Sequence, residues 1–315
     1  MAETVYPLVT IGIPTYNRAE SYLKEAIQSA LSQTYSNIEI VISDNCSSDN
    51  TEIVVKEFSD SCIRYFRQPE NIGANNNFNF CLNQAKGEYF LLLLDDDLID
   101  FDFVETCMKA VNNRNDIGIV RTGTRVIDSD GKLLNETLNT VEGLSTEEFF
   151  RVWFAQKTAL YLCSTIFNTR RLKEIGGFQS KHNLFQDVLA EFQLAAKYVR
   201  VDVQDVKASF RKHSSARSFA VKVSDWCEDS LFLLDSMCDM ATENKALIRK
   251  EGLYFFSTFN YALSSTIKSP VYRFISYLTI LKNFKYVFLH QVLYRSLGRS
   301  PIYAPLRYFK RKILC

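Results

Sequence analysis

Residues 89–97 read YFLLLLDDD, an apolar run from Tyr89 to Leu94 that ends in three carboxylates, Asp95, Asp96 and Asp97. The run is too short to cross a bilayer, which takes about 20 residues. It suits a strand buried on both faces of a parallel sheet. Three ionised carboxylates held together repel one another and are costly without a cation. A divalent metal is the simplest relief, and oxygen ligands favour a hard ion such as Mg²⁺ or Mn²⁺. The carboxyl end of a parallel strand is also where open α/β sheets bind ligands. The competing reading is a solvated acidic helix N-terminus stabilised by the helix dipole.

Outward from that strand, the pattern alternates. Leu8 to Ile13 reads as strand one, followed by a helical face of Leu23, Ala26, Ile27, Ala30 and Leu31. Ile38 to Ile42 is strand two, ending at Ser43 and Asp44, and a capping loop leads into a helix near Thr51. Ile63 to Phe66 is a third strand. Phe78, Cys81, Leu82 and Ala85 form another helical face, and Tyr89 to Leu94 is strand four. A helix through Phe103 to Val111 and a strand at Ile117 to Val120 follow. This alternation predicts a Rossmann-like, mostly parallel sheet flanked by helices. A hairpin is expected over Arg125 to Leu134, around Asp130-Gly131, and a strand over Leu160 to Phe167. A helix is expected over Phe185 to Tyr198, and a strand pair at Val199 to Val203 and Val206 to Phe210. From Lys222 onward the pattern is helical. Two domains are expected, an α/β domain over 1–220 and a helical appendage over 221–315.

Composition narrows the class. An apolar fraction of 47% is ordinary for a globular protein. Eight scattered cysteines without a CxxC pair suggest reduced thiols and a cytoplasmic setting. The opening MAETVYPLVT lacks the features of a signal peptide. Net charge is +1, but residues 252–315 carry ten Lys or Arg and no Asp or Glu. The preceding 251 residues hold 27 basic and 36 acidic side chains. A basic, aromatic, helical tail points to an anionic membrane surface, at the inner face of the cell membrane, or to a homo-oligomer contact. Nucleic acid is disfavoured as a partner by the acidic remainder.

Further candidates lie along the chain. Asp44 ends strand two, where a carboxylate accepts hydrogen bonds from a base or ribose, or closes an Asx-turn. No GxGxxG is present, which argues against a dinucleotide dehydrogenase. Asp187 begins a helix, as a dipole partner or as a general base for an acceptor hydroxyl. Arg211, His213 and Arg217 sit among serines in SFRKHSSARSF, which reads as an anion-binding or metal-binding loop or as a solvated basic one.

Taken in order, five stretches resemble the family 2 glycosyltransferases, whose fold is GT-A. They are VTIGIPTYNR (9–18), IEIVISDNCSSDNT (38–51), RQPENIGANNNFNFCLNQAKGEYFLLLLDDD (67–97), FNTRRLKEIGGFQ (167–179) and FQDVLAEFQLAAK (185–197). The resemblance implies a nucleotide pocket lined by Pro14, Thr15, Tyr16 and Arg18, with Asp44 on the base and Asn71 and Asn76 near the donor. It implies that Asp95 faces ribose and diphosphate, with Asp96 the most dispensable of the triplet, while Asp97 and His213 hold Mn²⁺ or Mg²⁺. Arg211 and Arg217 would lie near the phosphates, and Asp187 would be the catalytic base of an inverting transfer to a glycan or lipid-linked acceptor. Surface-polysaccharide or glycolipid synthesis is the family-level expectation. Two departures stand out: Gln186 replaces the acid usual before Asp187, and Leu98 follows the triplet where many members carry another acid. A nucleotidyltransferase or sugar-nucleotide hydrolase would use the same carboxylates.

Overall fold

The computed structural model describes residues 7–213 and 221–296, with side chains through residue 285. They form two compact units, each assembled from separate stretches of chain. Residues 7–144, 158–179 and 186–213 make the first, and residues 145–157, 180–185 and 221–296 the second.

The first unit is a sheet covered by helices. Its strands are β1 (Val9–Thr15), β2 (Ile38–Asp44), β3 (Ile63–Arg67), β4 (Tyr89–Leu92), β5 (Leu98–Ile99), β6 (Ile117–Ile127), β7 (Leu133–Thr137), β8 (Thr165–Asn168) and β9 (Val199–Arg211). They lie in the order β3-β2-β1-β4-β8-β6-β9-β5, with β7 paired to β6. From β3 to β4 every pairing is parallel. Strand β8 then enters antiparallel to both β4 and β6, and β9 runs parallel to β6.

The two-residue period of a strand sends alternate side chains to opposite faces. Tyr89, Leu91 and Leu93 join one core with Ile11, Ile13, Ile40 and Ile42. Helices α1 (Leu23–Leu31), α2 (Thr51–Lys56) and α4 (Phe103–Val111) cover that face through Leu23, Ile27, Val54, Phe103 and Cys107. Phe90 and Leu92 join Val41, Ile119 and Phe167 on the other face. Helices α3 (Ala74–Gln84), α6 (Thr169–Glu174) and α7 (Gln186–Lys197) cover it through Cys81, Leu82, Leu172, Ala190 and Leu194. The two-sided burial expected of YFLLLL is therefore what the strand shows. Gly12 permits the close approach of α3, since a Cβ there would meet Phe90 Cζ at 2.8 Å and Cys81 Cβ at 2.9 Å.

Three expectations about strands are corrected. Strand β8 begins only at Thr165, after a 3₁₀ turn at Leu162–Ser164. Because β8 wedges between β4 and β6, the Ile117 strand does not extend the parallel half. The pair expected at 199–203 and 206–210 is one continuous strand. Arg121 pairs with Asp202 but Gly123 with Val206, so the extra residues at 204–205 bulge from the ladder without ending it. The hairpin around Asp130-Gly131 forms as β6 and β7.

The second unit is helical: α5 (Thr146–Phe154), α8 (Val223–Met240), α9 (Lys245–Ser265) and α10 (Pro270–Ser296), the last broken at Lys285. Its core is aromatic, with Trp153, Phe154, Phe185, Trp226, Phe255 and Phe256 in mutual ring contact. Burying each such ring contributes about 1.5–3 kcal/mol. Two buried carboxylates tie the segments together. Glu147 accepts the backbone N–H groups of Thr242 and Glu243, and Asp229 accepts those of His182, Leu184 and Phe185. The seven cysteines among the described residues are free. No described helix is long and apolar enough to cross a membrane.

Candidate active site

The register of the parallel half sets three polar positions side by side at the carboxyl ends of its strands. Thr15 ends β1 opposite Asp44 at the end of β2, which in turn pairs with Arg67 at the end of β3. Asp44 is fully buried. Its Oδ1 accepts the Ser47 N–H at 2.8 Å, and its Oδ2 accepts the Tyr65 hydroxyl at 2.7 Å with Arg67 Nε at 3.8 Å. The Tyr65 phenol is pushed up by burial and by this carboxylate. Both Asp44 oxygens keep lone pairs for a further donor.

Pro14 is buried near the end of β1, and the chain leaves the strand through exposed Tyr16 and Asn17 and half-buried Arg18. The loop is pinned to the one after β2. The Asn17, Arg18 and Ala19 N–H groups donate to Ser47 Oγ, Thr51 Oγ1 and Asp49 Oδ2. Beyond β3, Asn71 Oδ1 accepts Asn45 Nδ2 at 2.9 Å, so Asn71 belongs to the Asp44 side. Asn76 is exposed on the first turn of α3 and donates back to Ile72 O, just before the helix.

The three aspartates follow β4, and each meets a different partner. Arg18 Nε lies 3.6 Å from Asp95 Oδ1. Burial, then the Asp96 charge, pushes Asp95 up to about 7, against the pull of Arg18. Asp96 Oδ2 lies 2.8 Å from His213 Nε2. Asp97 is only 1% exposed, and its Oδ1 accepts the Arg211 N–H at 2.9 Å. Burial and the Asp96 charge push Asp97 well above the carboxylate range, and the Cys163 thiol is in turn pushed up by burial and by Asp97.

Thus β9 returns to the triplet more than a hundred residues downstream. The Arg211 guanidinium, expected beside phosphates, is engaged within the protein. It donates to Asp96 O at 2.9 Å and Glu25 Oε2 at 2.6 Å, and lies 4.2 Å above the Tyr22 ring. Arg217 falls outside the described residues.

Asp187 is half-buried at the start of α7, with Oδ1 on the Val188 N–H. One turn further, Glu191 is fully buried with Oε2 2.9 Å from Arg121 Nε. Burial pushes Glu191 up to about 7, opposed by Arg121 and reinforced by the charges of Asp187 and Asp202. Arg121 also lies 3.5 Å from Asp202, which Arg200 Nε meets at 2.6 Å.

The donor set suits a hard cation held partly by its substrate. Carboxylate oxygens and one imidazole face an excess of negative charge that Arg18 offsets only in part. No group of three His, Cys, Asp or Glu converges as a complete cation site among the described residues. Mg²⁺-type ions take one or two protein carboxylates and complete their coordination with phosphate oxygens and water. Sequence reasoning missed Tyr65, Tyr22, Glu25, Cys163, Arg121 and Glu191. Only Tyr65 carried a signal, lying two residues before Arg67 and so on the same face of its strand.

The chain is similar to known glycosyltransferases. An uncharacterised glycosyltransferase of Rickettsia bellii (strain RML369-C) is 31% identical over 281 residues, covering 85% of this chain. The match spans only 39% of that relative's length. The crystal structure of S. aureus TarS superposes with a TM-score of 0.70 at 19% identity, over 97% of this chain and 53% of TarS. A mannosyltransferase from Pyrobaculum calidifontis, PcManGT, in complex with GDP-Man and Mn²⁺, superposes at 0.59 with 17% identity, over 99% of this chain and 82% of that one. These two likenesses are of fold, and the fold is GT-A. Residues 10–176, from β1 through the triplet to the end of α6, match the model of Glycosyl transferase family 2, and the chain belongs to that family.

Proposed function

We propose that the protein transfers a sugar from a nucleoside-diphosphate sugar to a hydroxyl of a glycan or lipid-linked acceptor, with inversion, in surface-polysaccharide or glycolipid synthesis. The observation that carries this reading is the convergence of Arg18, Asp44, Asp95–Asp97 and His213 at the carboxyl ends of the strands, in a chain of this family. The first unit is assigned donor binding and catalysis. Pro14, Thr15, Tyr16 and Arg18 line the nucleotide pocket, Asp44 receives the base, and Asn71 and Asn76 border the donor.

Asp187 accepts the proton of the acceptor hydroxyl as that oxygen bonds to the anomeric carbon from the face opposite the diphosphate. The bond from anomeric carbon to diphosphate oxygen breaks, and its electron pair leaves with the diphosphate. Asp97 and His213 would hold Mn²⁺ or Mg²⁺, which supplies Lewis-acid neutralisation of the departing diphosphate. Arg18 stands beside Asp95 to meet the same charge. Asp96 keeps the His213 imidazole in place.

The test is product analysis on a panel of nucleotide sugars with Asp187→Asn beside the wild type. Removal of a general base lowers turnover by about 10²–10⁴-fold. Donor affinity, read by calorimetry, stays unchanged. Near-normal turnover in Asp187→Asn would reject the base assignment, and free sugar as the sole product with acceptors present would make the enzyme a hydrolase.

A further inference from the structure

The first turns of α10 have two apolar faces. One is covered within the helical unit. Ser276, Ile280 and Phe284 are buried, and the Tyr277 ring stacks 5.2 Å from that of Tyr261 on α9. The other is bare: Val271, Phe274, Ile275 and Leu278 follow helical spacing at 66%, 61%, 50% and 49% exposure, with Tyr272 beside them at 68%. A helix that stands on the surface of a soluble domain turns polar residues outward, and one that is apolar all round needs an apolar phase on both sides.

Charge identifies that phase. Residues 252–315 contain ten Lys or Arg and no acid. Exposed Lys282 continues the bare stripe by one turn, and Lys285 is exposed where the helix breaks. A second copy docked through the same stripe would set one acid-free helix, with its lysines, against another. An anionic lipid surface supplies the countercharge and the apolar phase together. Long basic side chains keep their heads among the phosphates while their stems follow the apolar stripe. No described helix is built to span a bilayer, so the contact is in-plane.

We propose that α10 is an interfacial helix, whose Val271, Phe274, Ile275 and Leu278 enter the headgroup–acyl boundary of an anionic bilayer while Lys282 and Lys285 hold lipid phosphates. The assignment goes beyond glycosyl transfer and does not depend on it.

The test is flotation of the full chain with vesicles of phosphatidylcholine mixed with phosphatidylglycerol, against phosphatidylcholine alone. Wild type floats with the mixed vesicles only. The double variant Phe274→Gln/Ile275→Gln loses at least about tenfold in vesicle affinity, with an unchanged far-UV spectrum and melting point. Lys282→Gln and Lys285→Gln each weaken binding by about fivefold. Absence of wild-type flotation, or equal flotation of the double variant, overturns the proposal. A dimer detected by light scattering that Phe274→Gln/Ile275→Gln dissociates, without vesicle binding by wild type, assigns the face to a second copy instead.

Discussion

Replacing Glu191 by Gln isolates one buried charge. Glu191 is fully buried on α7, with its carboxylate 2.9 Å from Arg121. Burial raises it from an ordinary 4.5 to about 7 in the folded protein. The folded-state value lies above the unfolded one, so the native state binds a proton that the unfolded chain has already lost. The stability this confers is complete below about pH 4.5 and is lost as pH rises through about 7. At 1.36 kcal/mol per pH unit the full amplitude is about 3 kcal/mol, of which about 2.5 falls between about pH 5 and about pH 8. A glutamine does not titrate. Urea unfolding of wild type and Glu191→Gln in matched buffers, followed by far-UV circular dichroism, gives the stability gap at each pH, and subtraction removes every group the two share. The gap moves by about 2.5 kcal/mol in the variant's favour from about pH 5 to about pH 8. A gap constant to within about 0.5 kcal/mol would mean that Arg121 holds Glu191 ionised throughout, and the reasoning from burial would fail. Arg121→Met provides the companion measurement. It strands Glu191 in the interior, while Asp202 keeps Arg200, and costs about 3–5 kcal/mol, a fall of roughly 10 °C in melting point.

On the proposed metal role of Asp97, Asp97→Asn keeps the acceptor for the Arg211 N–H and abolishes the gain in nucleotide-sugar affinity that this role expects on adding Mn²⁺, read by calorimetry. Equal affinity of that variant and wild type in Mn²⁺ would remove Asp97 from the metal site. Gly252→Ala places a Cβ 2.2 Å from Leu234 Cδ1 and 3.1 Å from Phe154 Cζ. Despite the better helix propensity of Ala, it destabilises by about 1–3 kcal/mol in thermal unfolding, whereas a neutral or stabilising result would show that the aromatic core yields.

Much of the first unit was legible because short-range pattern and physics coincide there. YFLLLL suited a strand buried on both faces and its first four residues form one, and the helical faces at Leu23 to Leu31 and Phe103 to Val111 form where their spacing puts them. The partner of each strand was not legible. Strand β8 reads as apolar and extended, but nothing local to Thr165–Asn168 says that it inserts between β4 and β6. Aromatic residues after 251 looked alike in sequence, yet Phe255, Phe256 and Phe284 are buried while Tyr272 and Phe274 are exposed. Burial of an aromatic side chain depends on what packs over it, which is a long-range property.

By itself the sequence determined that three carboxylates follow a buried strand, that Asp44 ends an earlier strand, and that an acid-free region follows Glu251. Apolar periodicity and charge are local properties, and both can be read without coordinates. Only the tertiary structure decided which charge meets which: Arg18 with Asp95, His213 with Asp96, the Arg211 backbone with Asp97, and Arg121 with Glu191. These pairings join residues far apart in the chain. Strand order and register bring them together, and burial then pushes Asp95, Asp97 and Glu191 above the usual carboxylate range.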